Sequence, residues 1–408
     1  MKKARSFWNR QRGFAVFYLL LGLFLLWYSQ TVDGAATSGL RFSTLGLLEA
    51  PTRLTLLACG IVSLITAGAG LALSPHPRVQ SISLGINAFE IILAVLVWAS
   101  LGRSIDVVGM SAQSLRLATP IALGMLAGVM CERSGVVNIA IEGMMLMSAC
   151  IGFTVALYTQ NIWIGVLGGL LAGAVMAALH ALLSIQFMID QIISGTVINI
   201  LAVGITGFIR RAYLLKNPFG APSVLPILKV PVLSDIPIIG PIFFNNQPMV
   251  YTMLILVVVV HIVLFYTVWG LRTRAVGEHP RAADTLGINV FKIRYINVIL
   301  SGLIAGLGGV WFSLETVGSF QDIMTGGKGF IALAAMIFGK WTPFGGFGGA
   351  LLFGFADALQ IKLQISGVSV PYQFLGMLPY IVTMVVLAGL IGRAIAPAAD
   401  GVPYEKRQ

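Results

Sequence analysis

Several residues able to ionise or make strong polar contacts lie inside long apolar runs. They are Glu90, Asn138, Glu142, His180, Asn199, His261, Asn297 and Asp357. A charge at the centre of a bilayer costs about 2.5–3.5 kcal/mol on insertion scales, so such a group faces a cavity or a partner. Asn138 precedes Glu142 by one helical turn, which puts both on one face. Just before them the apolar pattern breaks at Cys131-Glu132-Arg133-Ser134-Gly135. The pair reads as a polar wall of a permeation path beside the break, or as a clamp that holds the broken segment. Gln191, Ser194 and Asn199 follow Asp190 at the start of another run. Their amides and hydroxyl suit a polar, uncharged ligand, while Asp190 reads as the N-cap of that helix. His180 and His261 are lone histidines, for which structural hydrogen bonding is the simpler reading than a proton relay.

The second chemistry-bearing stretch is Gly277-Glu278-His279-Pro280-Arg281-Ala282-Ala283-Asp284-Thr285-Leu286-Gly287. Pro280 fits the first turn of a short helix and Gly287 the position just past its end. A short polar helix between two spans is poorly explained by burial in lipid. It reads as a docking element for a cytoplasmic protein, against the plainer reading of a surface turn. There is no Gly-x-x-x-x-Gly-Lys-Ser/Thr loop: Gly326-Gly327-Lys328-Gly329 lacks the spacing and the hydroxyl. The chain is therefore not expected to hydrolyse ATP itself. Nor is there a His-Glu-x-x-His, a Gly-x-Ser-x-Gly or a cysteine–histidine metal cluster, so no metal, cofactor or catalytic residue is assigned.

These groups need elements to position them, and composition says which. Of 408 residues, 57% are hydrophobic and 10% charged, with a mean hydropathy of +0.92. A span needs about 20 apolar residues. The clearest runs are Gly13–Tyr28, Leu54–Leu73, Ile82–Leu101, Ile162–Ile185, Tyr251–Trp269, Ile296–Leu314 and Phe374–Ile391. They are continuous and too long for barrel strands of about 10 residues. The expected fold is all-α: a polytopic transmembrane bundle of about 11 segments, counted at roughly 20 residues each. Segments around Cys131 and Gly326 read as full or half crossings. The start resembles a signal sequence but reads as an uncleaved first span.

The net charge of +11 concerns orientation and headgroups, not nucleic acid. Lys2, Lys3, Arg5, Arg10 and Arg12 precede the first span; Arg272, Arg274, Arg281, Lys292 and Arg294 share one loop; Arg393, Lys406 and Arg407 close the chain. The positive-inside rule makes all three regions, and both termini, cytoplasmic. The proline-rich stretch Lys216–Pro248 is then outside. Cys59, Cys131 and Cys150 read as buried small hydrophobes. Gly165, Gly169, Gly173 and Ala177 form a small-residue face suited to close helix packing, as do Gly302 and Gly306. Interruptions at Cys131–Asn138 and Glu315–Gly329 suggest an internal repeat, and interrupted segments in matching halves point to a transport site.

Four stretches carry a family resemblance: Thr119–Leu146, with Asn138-Ile-Ala-Ile-Glu142-Gly143; Asp190-Gln191-Ile-Ile-Ser194-Gly-Thr-Val-Ile-Asn199; Arg274–Val290, with Gly277-Glu278-His-Pro280; and Gly326–Pro343, with Gly339-Lys-Trp341. In this order they resemble the permease subunits of bacterial ABC importers for simple sugars, branched-chain amino acids and nucleosides. The likeness is closest to the second permease of the nucleoside importers. It implies cytoplasmic ABC ATPase subunits docking on the Gly277–Gly287 loop, a second homologous permease, and an extracytoplasmic substrate-binding lipoprotein. It also implies a plasma-membrane location and a small-molecule substrate.

On this reading residues 1–110 are extra N-terminal spans, 111–395 the permease core, 270–295 a cytoplasmic coupling loop and 396–408 a cytoplasmic tail. Asn138, Glu142, Gln191, Ser194 and Asn199 line or shape the substrate pathway. Glu278, Pro280, Arg281, Asp284 and Gly287 form the ATPase-coupling element. Rival readings are a sugar or branched-chain amino acid as cargo, a stand-alone secondary transporter with Glu90, Glu142 or Asp357 carrying a proton, and an intramembrane enzyme using His180 or His261.

Overall fold

Continuous apolar runs can satisfy their peptide groups in lipid only as helices, and helices dominate the computed structural model. It describes residues 10–42, 46–72, 77–216, 220, 222–365, 372–377 and 394–406. In chain order the helices are α1 (Arg10–Thr31), α2 (Thr52–Ala72), α3 (Pro77–Ala99), α4 (Val107–Glu132), α5 (Ile141–Thr159), α6 (Ile162–Ala181) and α7 (Gln191–Ile209). They continue with α8 (Ile239–Phe243), α9 (Pro248–Tyr266), α10 (Val268–Glu278), α11 (Pro280–Thr285), α12 (Val290–Val310), α13 (Lys328–Phe338), α14 (Pro343–Ile365) and α15 (Tyr372–Gly376).

Among the described residues, nine helices are long and apolar enough to cross a membrane: α1, α2, α4, α5, α6, α7, α9, α12 and α14, several extended by an adjoining turn. The apolar part of α3, Gly85–Ala99, is shorter. The expected span Phe374–Ile391 lies outside the described residues apart from its beginning in α15.

Polar side chains start the helices where the sequence places them. Asp106 accepts from the Gly109 amide at 2.9 Å to open α4. Asp190 accepts from the amides of Ile192 and Ile193 at 2.9 and 3.0 Å to open α7. Asn289 accepts from the Lys292 amide at 2.9 Å to open α12. Each cap satisfies a backbone donor that the helix cannot.

α4, α5 and α12 are mostly buried and form the centre, while α1, α2, α6, α7 and α9 present apolar outer faces. The small-residue stripe explains how the centre closes. A Cβ on Gly173 of α6 would fall 2.3 Å from the Gly302 carbonyl oxygen of α12. One on Gly165 would fall 2.7 Å from the Gly152 carbonyl oxygen of α5. Only hydrogen fits, so the stripe packs within the chain.

Two small sheets add to the helical frame. β1 (Thr37–Arg41) pairs antiparallel with β2 (Leu47–Pro51) and parallel with β3 (Ser104–Asp106). This ties the N-terminal helices to the start of α4. In the proline-rich stretch, β4 (Leu228–Lys229) pairs with β5 (Asn245–Asn246), and Leu225 is buried with its amide bonded to the Leu314 carbonyl. That stretch packs against the bundle.

Candidate functional site

The first break runs from Arg133 to Ala140, between α4 and α5. Unwound backbone inside a membrane must find other partners, since each bare peptide group there costs several kcal/mol. The residues singled out from the sequence supply them. Gln191 Oε1 accepts from the Val137 amide at 2.7 Å. His180 Nε2 donates to the Val137 carbonyl at 2.9 Å. That bond fixes the tautomer, so Nδ1 accepts from the Ser194 hydroxyl at 3.0 Å. Asn199 accepts from the Gly143 amide at 2.7 Å and donates to the Ile139 carbonyl at 3.0 Å. Asn138 donates to Ser301 Oγ of α12 at 3.2 Å. Gln191 and Asn199 thus hold the break directly, Ser194 holds it through His180, and Asn138, within the break, ties it to α12.

The second break follows α12. A widened turn over Trp311–Val317 leads to an irregular descent in which Gly318, Ile323, Gly326 and Gly327 all have positive φ. It ends at α13, whose 11 residues reach about 16 Å at 1.5 Å per residue. A bilayer core is about 30 Å thick, so α13 is a half crossing. α4 is a full-length helix, and the break near Cys131 is at its end.

The two breaks meet at Glu142. One carboxylate oxygen accepts from the Thr325 hydroxyl at 2.6 Å and the Gly327 amide at 2.8 Å. The other accepts from the Gly329 amide at 2.6 Å. Glu142 lies in the first turn of α5 and holds the first turn of α13, so two helix N-termini share one negative charge. A Cβ on Gly329 would sit 2.6 Å from the Glu142 backbone nitrogen. Glycine is what lets α13 approach so closely. Beside this, the Lys328 ammonium pairs with the Asp357 carboxylate of α14.

Sequence reasoning missed Thr325, Lys328 and Ser301. Gly326-Gly327-Lys328-Gly329 reads as part of the second interruption, but its contact with Glu142 crosses some 180 residues of chain. Glu90, His261 and Asn297 lie apart from this region. Ser63 donates to Glu90 at 2.5 Å between α2 and α3. His261 packs at a tilt against Phe344, and Asn297 bridges Trp269 and Thr273.

The coupling-loop residues form a second centre. α10 carries the chain out of the bundle, and α11 begins at Pro280. Buried Ala283 anchors α11, while Arg281, Ala282, Thr285 and Leu286 are exposed; Leu286, at 81%, shows an apolar side chain almost wholly uncovered. Gly287 follows with φ +80°, a turn that side chains rarely adopt. Asp284 lies 3.7 Å from Lys406, and Glu278 accepts from the Ala398 amide at 3.1 Å. The loop touches the first break: a Cβ on Gly277 would fall 2.2 Å from the Arg133 carbonyl oxygen.

A multi-pass bundle with paired helix breaks and a short polar helix outside it defines a membrane permease. The chain belongs to the family described as branched-chain amino acid transport system / permease component, matched over residues 110–391. It is a translocating subunit of the ABC transporter class, and the secondary-transporter and intramembrane-enzyme readings give way to that. It is 44% identical to the guanosine ABC transporter permease protein NupQ of Bacillus subtilis, over 72% of this chain and 95% of that one. It is 40% identical to the nucleoside ABC transporter permease protein NupC of Lactococcus lactis, over 72% and 96%. It is also 35% identical to the putative glucose ABC transporter permease protein TsgC13 of Haloferax volcanii, over 69% and 91%. No solved structure matches the chain significantly.

Proposed function

We propose that this subunit forms half of an inward path for nucleosides across the plasma membrane, driven by ATP that separate cytoplasmic subunits hydrolyse. The observation that carries the mechanism is the junction at Glu142. Two unwound segments and two helix N-termini meet there inside the bundle, the kind of backbone tolerated at membrane depth where it lines or supports a solute path. Asn138, Gln191, Ser194 and Asn199 shape that path by holding the first break. The nucleoside reading rests on the names of NupQ and NupC.

In this reading 111–395 is the permease core and 1–110 an added set of helices. The basic loop 270–295, the tail 396–408 and both termini face the cytoplasm. α11, with exposed Leu286 and Arg281 beside it, docks an ATPase. A second permease completes the path, and an extracytoplasmic lipoprotein delivers the solute. Motion of the docked ATPase passes through Gly277 to the first break, and through Glu142 to the second.

The likeness to a putative glucose permease supports sugar as a second cargo. Cells lacking only this chain should lose uptake of labelled guanosine, adenosine and uridine and resist toxic nucleoside analogues, with glucose uptake unchanged. Loss of glucose uptake with nucleoside uptake intact would transfer the assignment to sugar.

A further inference from the structure

The C-terminal segment 394–406 is not a free tail. It is threaded along the end of the bundle that carries α10 and α11. The Ala399 amide donates to the Gly277 carbonyl at 2.8 Å, and the Ala398 amide to Glu278. The Val402 carbonyl accepts from Arg294 of α12 at 3.1 Å. Tyr404 is buried among Val276, Ala283, Val290 and Ile293, with its ring 5.5 Å from that of Phe291. A Cβ on Gly135, in the first break, would lie 3.0 Å from the Ala399 carbonyl oxygen. One short segment therefore touches the coupling helix, the helix after it and the first break.

Its central contact is between two acids. The Asp400 carboxyl lies against that of Glu132, the last residue of α4, close enough for each to act on the other's charge. The other side of Glu132 accepts from Trp341 Nε1 at 2.6 Å, in the turn joining α13 to α14. Two buried carboxyls side by side do not readily ionise together, so the pair favours keeping a proton. The groups around the pair are Arg294 on α12 and Cys131 on α4; Glu278 on α10 meets the Ala398 amide and Arg133, and Arg281 and Asp284 of α11 reach only as far as Tyr404.

We infer that Asp400 and Tyr404 are positioning residues for ATPase coupling: the C-terminal segment ties the coupling helix to the first break and, through Glu132, to the turn after α13. The inference rests on the reading of α11 as the ATPase dock. Tyr404 holds Ala283, and with it α11, against α12. Asp400 carries the connection on to Glu132 and Trp341. Without the segment, α11 keeps its surface and the Gly277 contact but loses the part of its link that runs through Tyr404 and Asp400.

Burial pushes the Asp400 carboxyl up to about 7 from its ordinary 3.8, against the opposing pull of its contact with Glu132 and of Arg294. The docked pair thus holds a proton that a freed Asp400 gives up. Docking is strongest in acid, weakens as pH rises from about 4 to about 7, and changes little through this group above that.

The test uses the full complex in proteoliposomes, with nucleoside uptake per ATP hydrolysed measured for four variants. Tyr404→Ala and Asp400→Ala should lower that ratio at least fivefold while the chain still co-purifies with its ATPase; Tyr404→Phe should restore it. Hydrogen exchange at the Ala398 and Ala399 amides should quicken as pH rises from 5 to 7, beyond the intrinsic rate increase. In Asp400→Asn that excess should vanish. Wild-type ratios in both alanine variants, beside a failed Asp284→Lys, would overturn the positioning role and leave the dock standing. A normal ratio in Asp284→Lys would remove the dock and this inference with it.

Discussion

Glu142→Ala is expected to abolish uptake and to lower the thermal stability of the assembled subunit. The carboxylate accepts three hydrogen bonds, from Thr325, Gly327 and Gly329. Bonds to a charged acceptor contribute about 1.5–3 kcal/mol each. Removing one side of such a buried arrangement costs about 3–5 kcal/mol, because the donors are left bare. The loss falls where α13 is seated, so the half crossing should loosen while the full-length helices remain. Glu142→Gln separates charge from shape. Its amide group would turn N–H toward another N–H at Gly327 or Gly329, so part of the stability and most of the uptake should go. Uptake by Glu142→Gln at the wild-type rate would mean that the junction needs only a side chain of that size. Fluorescence melting and uptake on the same preparation read both effects.

Asp284→Lys should cut transport at least tenfold and leave membrane level and melting temperature nearly unchanged. Asp284 lies on α11, partly exposed, with Lys406 at 3.7 Å. An exposed ion pair of this kind contributes about 0–1 kcal/mol, so folding has little to lose. A lysine there repels Lys406 and adds to Arg281 on the same short helix. It reverses the charge shown to a docked ATPase. Normal uptake by this variant would remove the coupling assignment.

How far these features could be read in advance varies with their range along the chain. Helices with local signals were legible. Asp190 caps α7, Pro280 opens α11, and Gly287 turns the chain after it, because each involves contacts within a few residues. The small-residue stripe was legible as a packing face for the same periodic reason. Asn138, Gln191, Ser194 and Asn199 could be marked as polar groups in apolar runs, and the first break could be seen, but that Gln191, Ser194 and Asn199 hold it and Asn138 ties it to Ser301 could not. Asp357 was marked too, while its partner Lys328 was not. The C-terminal segment looked like a plain tail because Asp400 lies far in sequence from Glu132 and nothing local to it marks a contact. The sheet β2-β1-β3 was missed since strands of three to five residues among long apolar runs leave little periodic trace.

The most direct measurement is labelled nucleoside uptake into proteoliposomes holding this chain, its partner permease, the ATPase and the binding lipoprotein, with and without ATP on the ATPase side. The account predicts concentrative uptake that requires ATP and vanishes when this chain is omitted. Nucleoside uptake that proceeds without ATP, or persists without this chain, would contradict it.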